Sequence, residues 1–318
     1  MRALQVTEFG VAPALMHLER PEPGPEEVRI RVDACGLNFA DLLMMKGEYQ
    51  DTPALPFTLG MEFAGSVEAV GERVALRPGQ RVAVFGGHGG LAEAALVRAD
   101  ACVPLPDTMP SVDAAAFQIA YGTSHLALAH RGALKSKEKL LVLGAAGGVG
   151  LTAVEIGAAL GADVIAVARG AEKLDVARAA GAQHLIDASD PELKEKLKAL
   201  GGIDVVYDPV GGDLAQLALR ACKRGARYLV IGFASGTVPE VKLNHLLVKN
   251  IALHGFYWGG YLGFDPAALR TSLAELFDLY TQGKLKPHIG LQTDLDGATE
   301  ALEKLRRRET TGKVVITP

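Results

Sequence analysis

The chain has 318 residues, of which 49% are hydrophobic, so it is long and apolar enough for two domains with buried cores. Lys and Arg number 33 against 37 Asp and Glu, and no basic block is present, which argues against nucleic acid as a partner. Three scattered cysteines and the absence of an apolar run of about 18 residues lead us to expect a cytoplasmic protein without disulfides, zinc knuckle or membrane span.

The first part of the chain, from Glu27 to Asp100, consists of short apolar runs that end in turn residues. These runs are VRIRV, GSVEAVGERV, GQRVAVFG and AEAALV. Their alternation and glycine turns predict a compact domain of short antiparallel strands. Only the stretch Asn38 to Lys46 has a helical pattern.

After Pro110 the pattern changes to apolar runs separated by Ala-rich helical segments. The runs are LLVLG, DVIAVA, HLIDA, DVVYDPV and YLVIG. This βαβ alternation predicts a parallel sheet covered by helices on both faces, the doubly wound architecture of nucleotide-binding domains. IALHGFYW from Ile251 is expected at the sheet edge, where an apolar strand can pair with a second subunit. Beyond Pro266 we expect a helix, LRTSLAELFDLYTQG, another helix and a strand, KVVIT, which return to the first domain.

The segment LVLGAAGGVG, from Leu141 to Gly150, is typical of a dinucleotide-binding turn between a strand and a helix. Its glycines allow close approach to a pyrophosphate, whose charge the helix N-terminus stabilises. Ala145 stands at the first glycine position, and a tight turn without ligand is the alternative. The cofactor-binding candidates here are Ala146, Gly147, Gly148 and Val149.

The end of the second strand of the nucleotide-binding domain indicates which cofactor is preferred. An NAD-specific site places an acidic residue there, about 20 residues after the turn, but this chain has Ala168 and Arg169. Arg169 and Lys173, one helical turn further on, can pair with the 2'-phosphate of NADPH. The alternative is that Arg169 is a solvated surface residue. Two later strand ends also point to the cofactor, and their candidates are Val210, Gly232, Phe233, Ala234 and Ser235.

Six motifs in order, ACGLNFADLL, GMEFAGSVEAVG, VLGAAGGVG, DVVYDPVGGD, VIGFASG and TGKVVIT, resemble the zinc-independent quinone oxidoreductase (zeta-crystallin-like) branch of the medium-chain dehydrogenase/reductase superfamily. The resemblance covers the whole chain. It implies an α/β protein with a GroES-like β-rich catalytic domain, residues 1–112 and 262–318, and a Rossmann NADPH-binding domain, residues 113–261. It also implies a homodimer and a contact between Thr123 and the nicotinamide amide. The tyrosine that often contacts the adenosine phosphate in this family is replaced by Ala188.

The positions that hold zinc in the related alcohol dehydrogenases lack its ligands here. Asn38 replaces a cysteine, Met61 replaces a histidine, and Glu62 alone cannot hold the metal. Cys35 is expected in the core, and His88 and His125 have no second ligand at metal spacing. We therefore expect no metal site.

Without zinc, hydrogen bonds must stabilise the charge that develops on the substrate oxygen. The resemblance implies that Asn38, Asp41 and Tyr49 line the substrate side of the active site near the nicotinamide. The Asn38 amide can donate to a carbonyl oxygen, the Tyr49 phenol can donate a hydrogen bond or proton, and Asp41 can orient its neighbours. Alternatively, Asn38 and Asp41 only cap a helix.

An aromatic group, Phe256, Tyr257, Trp258 and Tyr261, forms either a wall for a flat substrate or interface core; Phe256 is also a cofactor-binding candidate. The sequence thus predicts an NADPH-dependent reductase of quinones or related conjugated carbonyl compounds. An enoyl reductase acting on an unsaturated ketone or acyl thioester is the alternative enzyme. An NADPH-binding protein with little turnover is the alternative from another class.

Overall fold

A computed structural model of the protein describes all 318 residues. The strands in chain order are β1 (Arg2–Val6), β2 (Ala14–His17), β3 (Glu27–Leu37), β4 (Phe57–Thr58), β5 (Glu62–Val70), β6 (Arg81–Phe85), β7 (Ala94–Arg98), β8 (Cys102–Pro104), β9 (Lys139–Leu143), β10 (Asp163–Ala168), β11 (His184–Asp187), β12 (Ile203–Asp208), β13 (Cys222–Val230), β14 (Ala252–Gly255), β15 (Ile289–Asp294) and β16 (Lys313–Thr317).

The α-helices are α1 (Phe39–Met44), α2 (Ser111–Ala115), α3 (Gln118–His125), α4 (Gly148–Ala159), α5 (Ala171–Ala179), α6 (Leu193–Ala199), α7 (Gly212–Ala221), α8 (Leu243–Lys249), α9 (Tyr261–Phe264), α10 (Pro266–Thr281) and α11 (Ala298–Arg307). A 3-10 helix spans Ala99–Ala101 and a π-helix spans Leu126–Arg131. None of the helices combines the length and the apolar character that crossing a membrane requires.

The chain divides into two compact units. The first comprises residues 1–119 and 287–318, and the second comprises residues 120–286. The sequence analysis places the two boundaries after residues 112 and 261 instead. The second boundary lies later because α10 packs on α9 and on the π-helix, so this helix belongs to the second unit and does not return to the first.

The core of the first unit is a seven-stranded sheet built around β3. The strand order is β15-β16-β3-β5-β6-β8, and β7 also pairs with β3. Along β3 the apolar residues Val28, Ile30 and Val32 are buried and alternate with more polar ones, as expected for a strand with one face on the core. A smaller sheet has the order β2-β1-β4. The predicted strands between Glu27 and Asp100 are present; β1, β2, β4, β8 and β15 were not predicted.

The second unit contains a six-stranded sheet that is parallel throughout. Its order is β11-β10-β9-β12-β13-β14, the arrangement of a doubly wound dinucleotide-binding fold. Leu140 to Leu143 in β9 and Val164 to Ala168 in β10 are buried, which explains their continuous apolar sequence. The predicted Rossmann domain is confirmed, and the strand predicted from Ile251 is β14, at the sheet edge.

The aromatic group after β14 is packed within the second unit. Phe256, Trp258 and Tyr261 are buried, whereas Tyr257 is exposed. The rings of Phe256 and Tyr261 have centroids 5.6 Å apart. A Cβ atom on Gly122 would lie 2.6 Å from Trp258 Nε1, so glycine at this position allows the indole to pack on α3.

Candidate functional site

The turn between β9 and α4 has the local geometry of a phosphate-binding loop. Gly144 follows β9 with a φ of 62°, a left-handed conformation that favours glycine. A Cβ atom on Gly150 would lie 2.1 Å from the carbonyl oxygen of Gly144, so only glycine lets α4 pack this closely on the turn. The turn and the first positions of α4 contain the predicted residues Ala146, Gly147, Gly148 and Val149. Helix α4 therefore presents its N-terminus at the turn, where backbone N–H groups can bind a phosphate.

Buried hydroxyl groups hold α3 against this turn. Ser124 Oγ donates to the carbonyl oxygen of Val149 at 3.0 Å and contacts Thr152 Oγ1 at 2.8 Å and the Tyr207 hydroxyl at 2.9 Å. Thr123, the predicted nicotinamide contact, is buried on the same helix beside Ser124. Sequence reasoning missed Ser124, Thr152 and Tyr207 because single hydroxyls within apolar helices and strands form no recognisable pattern.

The cationic residues predicted to recognise the 2'-phosphate stand at the end of β10. Arg169 is exposed directly after the strand, and Lys173 is half-buried in the first turn of α5. Asp187, at the end of the adjacent strand, was missed: its carboxylate accepts a hydrogen bond from the Gly170 N–H at 2.7 Å. Hydrogen bonds from Ser189 in particular, with a smaller contribution from Arg169, hold the pKa of Asp187 below its usual range. Asp187 is therefore a charged carboxylate that fixes the turn carrying Arg169.

The loops that follow β12 and β13 are tied to one another. Asp208 accepts hydrogen bonds from the backbone N–H groups of Val210 at 2.8 Å and Gly211 at 2.9 Å, which turns the chain sharply after β12. The N–H of Ser235 donates to the carbonyl oxygen of Val210 at 2.9 Å. The sheet therefore presents the remaining cofactor candidates at its carboxyl edge, where ligands bind in such folds; these are Val210, Gly232, Phe233, Ala234, Ser235 and Phe256.

A buried polar cluster of Asn38, Glu62 and Lys313 lies in the first unit. Lys313 Nζ donates to Glu62 Oε1 at 2.7 Å, to Asn38 Oδ1 at 2.8 Å and to the carbonyl oxygen of Leu37 at 2.8 Å. Asn38 Nδ2 donates to Glu62 Oε1 at 3.0 Å, and the N–H of Ile119 donates to Glu62 Oε2 at 2.9 Å. All three ammonium hydrogens have acceptors, so the buried charges are paired and the Asn38 amide has one orientation. Sequence reasoning missed Lys313, which comes from the last strand.

Asp41 fixes Asn38 from the backbone side. It is completely buried in the first turn of α1 and accepts hydrogen bonds from the Asn38 N–H at 2.7 Å and the Gly60 N–H at 3.2 Å. Burial raises the pKa of Asp41 to about 6, although these hydrogen bonds and the charge of Lys313 act in the opposite direction. The contacts place Asp41 in the helix-capping role, as an orienting group for Asn38.

Tyr49, the third predicted substrate residue, is half-buried and packs against the core of the first unit. It follows α1 in the same stretch of chain as Asn38 and Asp41. The structure therefore places the three residues in one unit, and the Asn38 and Asp41 side chains in a connected hydrogen-bond network.

The chain combines a doubly wound unit that has a glycine-rich phosphate turn with a β-rich unit that has a buried polar cluster. These two units together define the class of nucleotide-dependent dehydrogenases and reductases. Residues 24–107 match the alcohol dehydrogenase GroES-like domain, and residues 148–278 match the family described as zinc-binding dehydrogenase. The first match confirms the predicted GroES-like domain.

Full-length relatives specify the branch. The quinone oxidoreductase-like protein 2 homolog of Nematostella vectensis is 39% identical over 92% of this chain and 82% of its own. Two solved structures cover all of both chains: Escherichia coli quinone oxidoreductase complexed with NADPH (TM-score 0.93, 30% identity) and the Thermus thermophilus quinone oxidoreductase, whose complex with NADPH is also described (TM-score 0.89, 34% identity). This chain belongs to the quinone oxidoreductase branch of the medium-chain dehydrogenase/reductase superfamily.

The zinc that the family description implies does not fit the buried cluster of this chain. Glu62 is the one carboxylate among the three positions considered, and its Oε1 already contacts the Lys313 ammonium at 2.7 Å. Asn38 offers a neutral amide, and Met61 is a buried apolar residue. A divalent cation would have to displace the Lys313 ammonium group, and this cluster offers it too few anionic ligands. No step of the reaction is therefore assigned to zinc.

Proposed function

We propose that the protein is an NADPH-dependent oxidoreductase that transfers hydride to a quinone or a related conjugated carbonyl compound without catalytic zinc. The observation that carries the proposal is the end of β10, where exposed Arg169 follows Ala168 beside the glycine-rich turn. A cation at this point suits the 2'-phosphate of NADPH, whereas an acidic residue there would suit the ribose hydroxyls of NADH.

The phosphate groups of the cofactor would bind at the N-terminus of α4, between Ala146 and Val149. Arg169 and Lys173 would pair with the 2'-phosphate, and Thr123 would contact the nicotinamide amide. The loops containing Val210 and residues 232–235, with Phe256, would line the rest of the cofactor. When bound, NADPH supplies the hydride for the reaction.

The residues of the first unit would position the acceptor and stabilise its oxygen. We propose that Asn38 Nδ2 donates to the substrate carbonyl in place of its contact with the Gly36 carbonyl oxygen, which at 3.3 Å is the longest of its side-chain hydrogen bonds. Lys313 and Glu62 hold the amide in the donating orientation, and Tyr49 supplies a second donor or the proton.

The reaction is tested by following NADPH oxidation with benzoquinone, phenanthrenequinone, an enone and crotonyl-CoA in parallel, with and without a chelator. We expect the quinones to be preferred and the rates to survive chelation. A preference for the enone or the thioester would identify an enoyl reductase instead. NADPH binding without oxidation of any acceptor would favour a binding role.

We further propose that the protein is a homodimer that pairs at β14. This edge strand has β13 as its only partner, and the chain before and within it exposes apolar side chains. The exposed fraction is 75% for Leu247, 63% for Val248 and 40% for Leu253. Such an edge is a template for pairing with a second copy. Sedimentation of the wild type should give a dimer, and Leu247→Lys should weaken it. Val11→Lys, at an exposed position of the first unit, is the control and should leave the dimer intact. A monomeric wild type would refute the proposal.

A further inference from the structure

The π-helix after α3 places two histidines on one face of the chain. His125 is the last residue of α3 and His130 lies five residues later, near the end of the π-helix. On an α-helix, residues five apart point about 140° away from each other, since each residue turns the chain by about 100°. The wider π-turn, in which the Gly132 N–H donates to the Ala127 carbonyl oxygen five residues earlier, removes most of this divergence. The two imidazole rings therefore have centroids only 5.8 Å apart.

A carboxylate from α10 completes the group. His125 Nε2 lies 3.5 Å from Glu275 Oε2, and one ligand-capable atom from each of His125, His130 and Glu275 lies within 4.8 Å of the others. Two ligands of a tetrahedral zinc ion, each about 2.1 Å from the metal, are about 3.4 Å apart. The His125 and Glu275 atoms already have this separation, and exposed His130 can adjust its rotamer to reach it.

Ser272 holds the buried histidine ring in the orientation that a ligand needs. Its hydroxyl lies 2.9 Å from His125 Nδ1, and both side chains are buried. Ser272 and Glu275 are three residues apart on α10, so they share one face of that helix. When Nδ1 donates to Ser272, the Nε2 lone pair points toward the Glu275 carboxylate, and a cation between the two would bind both. A metal-bound histidine usually has its second nitrogen hydrogen-bonded in this way.

We propose that His125, His130 and Glu275 bind a zinc ion, with water as the fourth ligand. Two imidazoles and a carboxylate are a donor set typical of zinc. The exposure of His130 and Glu275 leaves the fourth position open to solvent. The ion would link α10 to the π-helix within the second unit. It shares no residue with the Asn38 cluster or with the proposed cofactor site, so the proposal does not depend on the reaction that the enzyme catalyses.

The test is calorimetric titration of tag-free, chelator-treated protein with zinc chloride, supported by the visible spectrum of the cobalt-substituted protein. We expect one zinc per chain and the intense absorption of four-coordinate cobalt. His130→Ala and Glu275→Gln should each weaken binding by about 100-fold or more, because one of three protein ligands is lost. Both residues are exposed, so the variants are expected to fold, which their melting temperatures will verify.

Two further variants separate this site from general histidine binding. Ser272→Ala should weaken zinc binding by about tenfold, since it removes the group that orients the His125 ring. His184→Ala is the matched control: His184 Nε2 lies 3.0 Å from Asp163, but the pair has no third ligand in the cluster, and binding should be unchanged. Absence of binding, or binding that survives both His130→Ala and Glu275→Gln, would overturn the proposal.

Discussion

Replacing Lys313 by methionine should destabilise the first unit strongly although the two side chains have similar shapes. Lys313 is 5% exposed, and its ammonium group makes three hydrogen bonds of 2.7 to 2.8 Å. The variant would leave the fully buried Glu62 carboxylate without a counter-ion, and removing one partner of a buried pair costs about 3–5 kcal/mol. The surface pair of Lys304 and Glu300, whose side chains are 41% and 74% exposed, is the control, where Lys304→Met should cost less than about 0.5 kcal/mol of stability.

The assay must report on the correct unit. The single tryptophan, Trp258, lies in the second unit, so its fluorescence does not follow the change directly. Hydrogen exchange of peptides covering β3 and β5 measures the free energy of opening where Glu62 and Asn38 lie. Adding Glu62→Gln to Lys313→Met removes the second charge and should restore at least about 2 kcal/mol.

The single variant Lys313→Met also tells whether Lys313 positions Asn38 for turnover or contributes to the binding of NADPH. Without Lys313 the Asn38 amide loses the donor to its oxygen, so turnover should fall while the dissociation constant for NADPH stays unchanged. Two results would refute the reasoning that the cluster is a charge-paired unit. One is a loss of stability below about 1 kcal/mol for Lys313→Met, and the other is a double variant that is no more stable than Lys313→Met alone.

Three other substitutions test the site. Arg169→Ala should lower the ratio of kcat/KM with NADPH to kcat/KM with NADH by about 10- to 100-fold, because one charge-assisted phosphate contact is lost. Arg178→Ala on α5 is the control and should leave this ratio unchanged. Equal effects of the two substitutions would remove Arg169 from the site. Gly150→Ala would place a Cβ atom 2.1 Å from a backbone oxygen, so it should reduce the affinity for NADPH by about 100-fold or more in a binding titration. Gly263→Ala is the control: its Cβ would have no atom within 4 Å, and the affinity should stay unchanged. Burial raises the pKa of Asp41 from 3.8 to about 6 in the folded protein, so folding favours the protonated carboxyl. As the pH rises from about 4 to about 6, the free energy of unfolding of wild type should therefore fall by about 3 kcal/mol relative to that of Asp41→Asn. Hydrogen exchange of the first unit at several pH values measures that difference, and a constant difference would contradict the burial argument.

The doubly wound sheet could be predicted from sequence because its strands are apolar on both faces and alternate with helices. β9 and β10 are continuous apolar runs, and their burial follows directly. β15 was missed because IGLQTD is half-exposed and has little apolar periodicity. α10 was assigned to the wrong unit because the amphipathic pattern of a helix identifies a buried face without identifying its neighbour.

Sequence motifs are most informative where local backbone geometry requires a particular residue. Gly150 belongs to a motif because a Cβ atom cannot fit there. Lys313 has no such local signature, since its partners Glu62 and Asn38 are 251 and 275 residues away in the chain. The proximity of His125 and His130 was missed for a different reason. Spacing rules assume α-helical geometry, and the π-helix changes which residues face each other.

The sheet of the first unit also determines the order in which the nascent chain can fold. β3 is synthesised early, but its partner β16 contains residues 313–317, and the residues of the second unit emerge between them. Until β16 leaves the ribosome, the edge of β3 from Cys35 to Leu37 that faces away from β5 lacks its pairing strand, and Glu62 lacks its ammonium partner. We therefore expect the second unit to complete its fold first, because the first unit cannot complete its sheet before β16 has been synthesised.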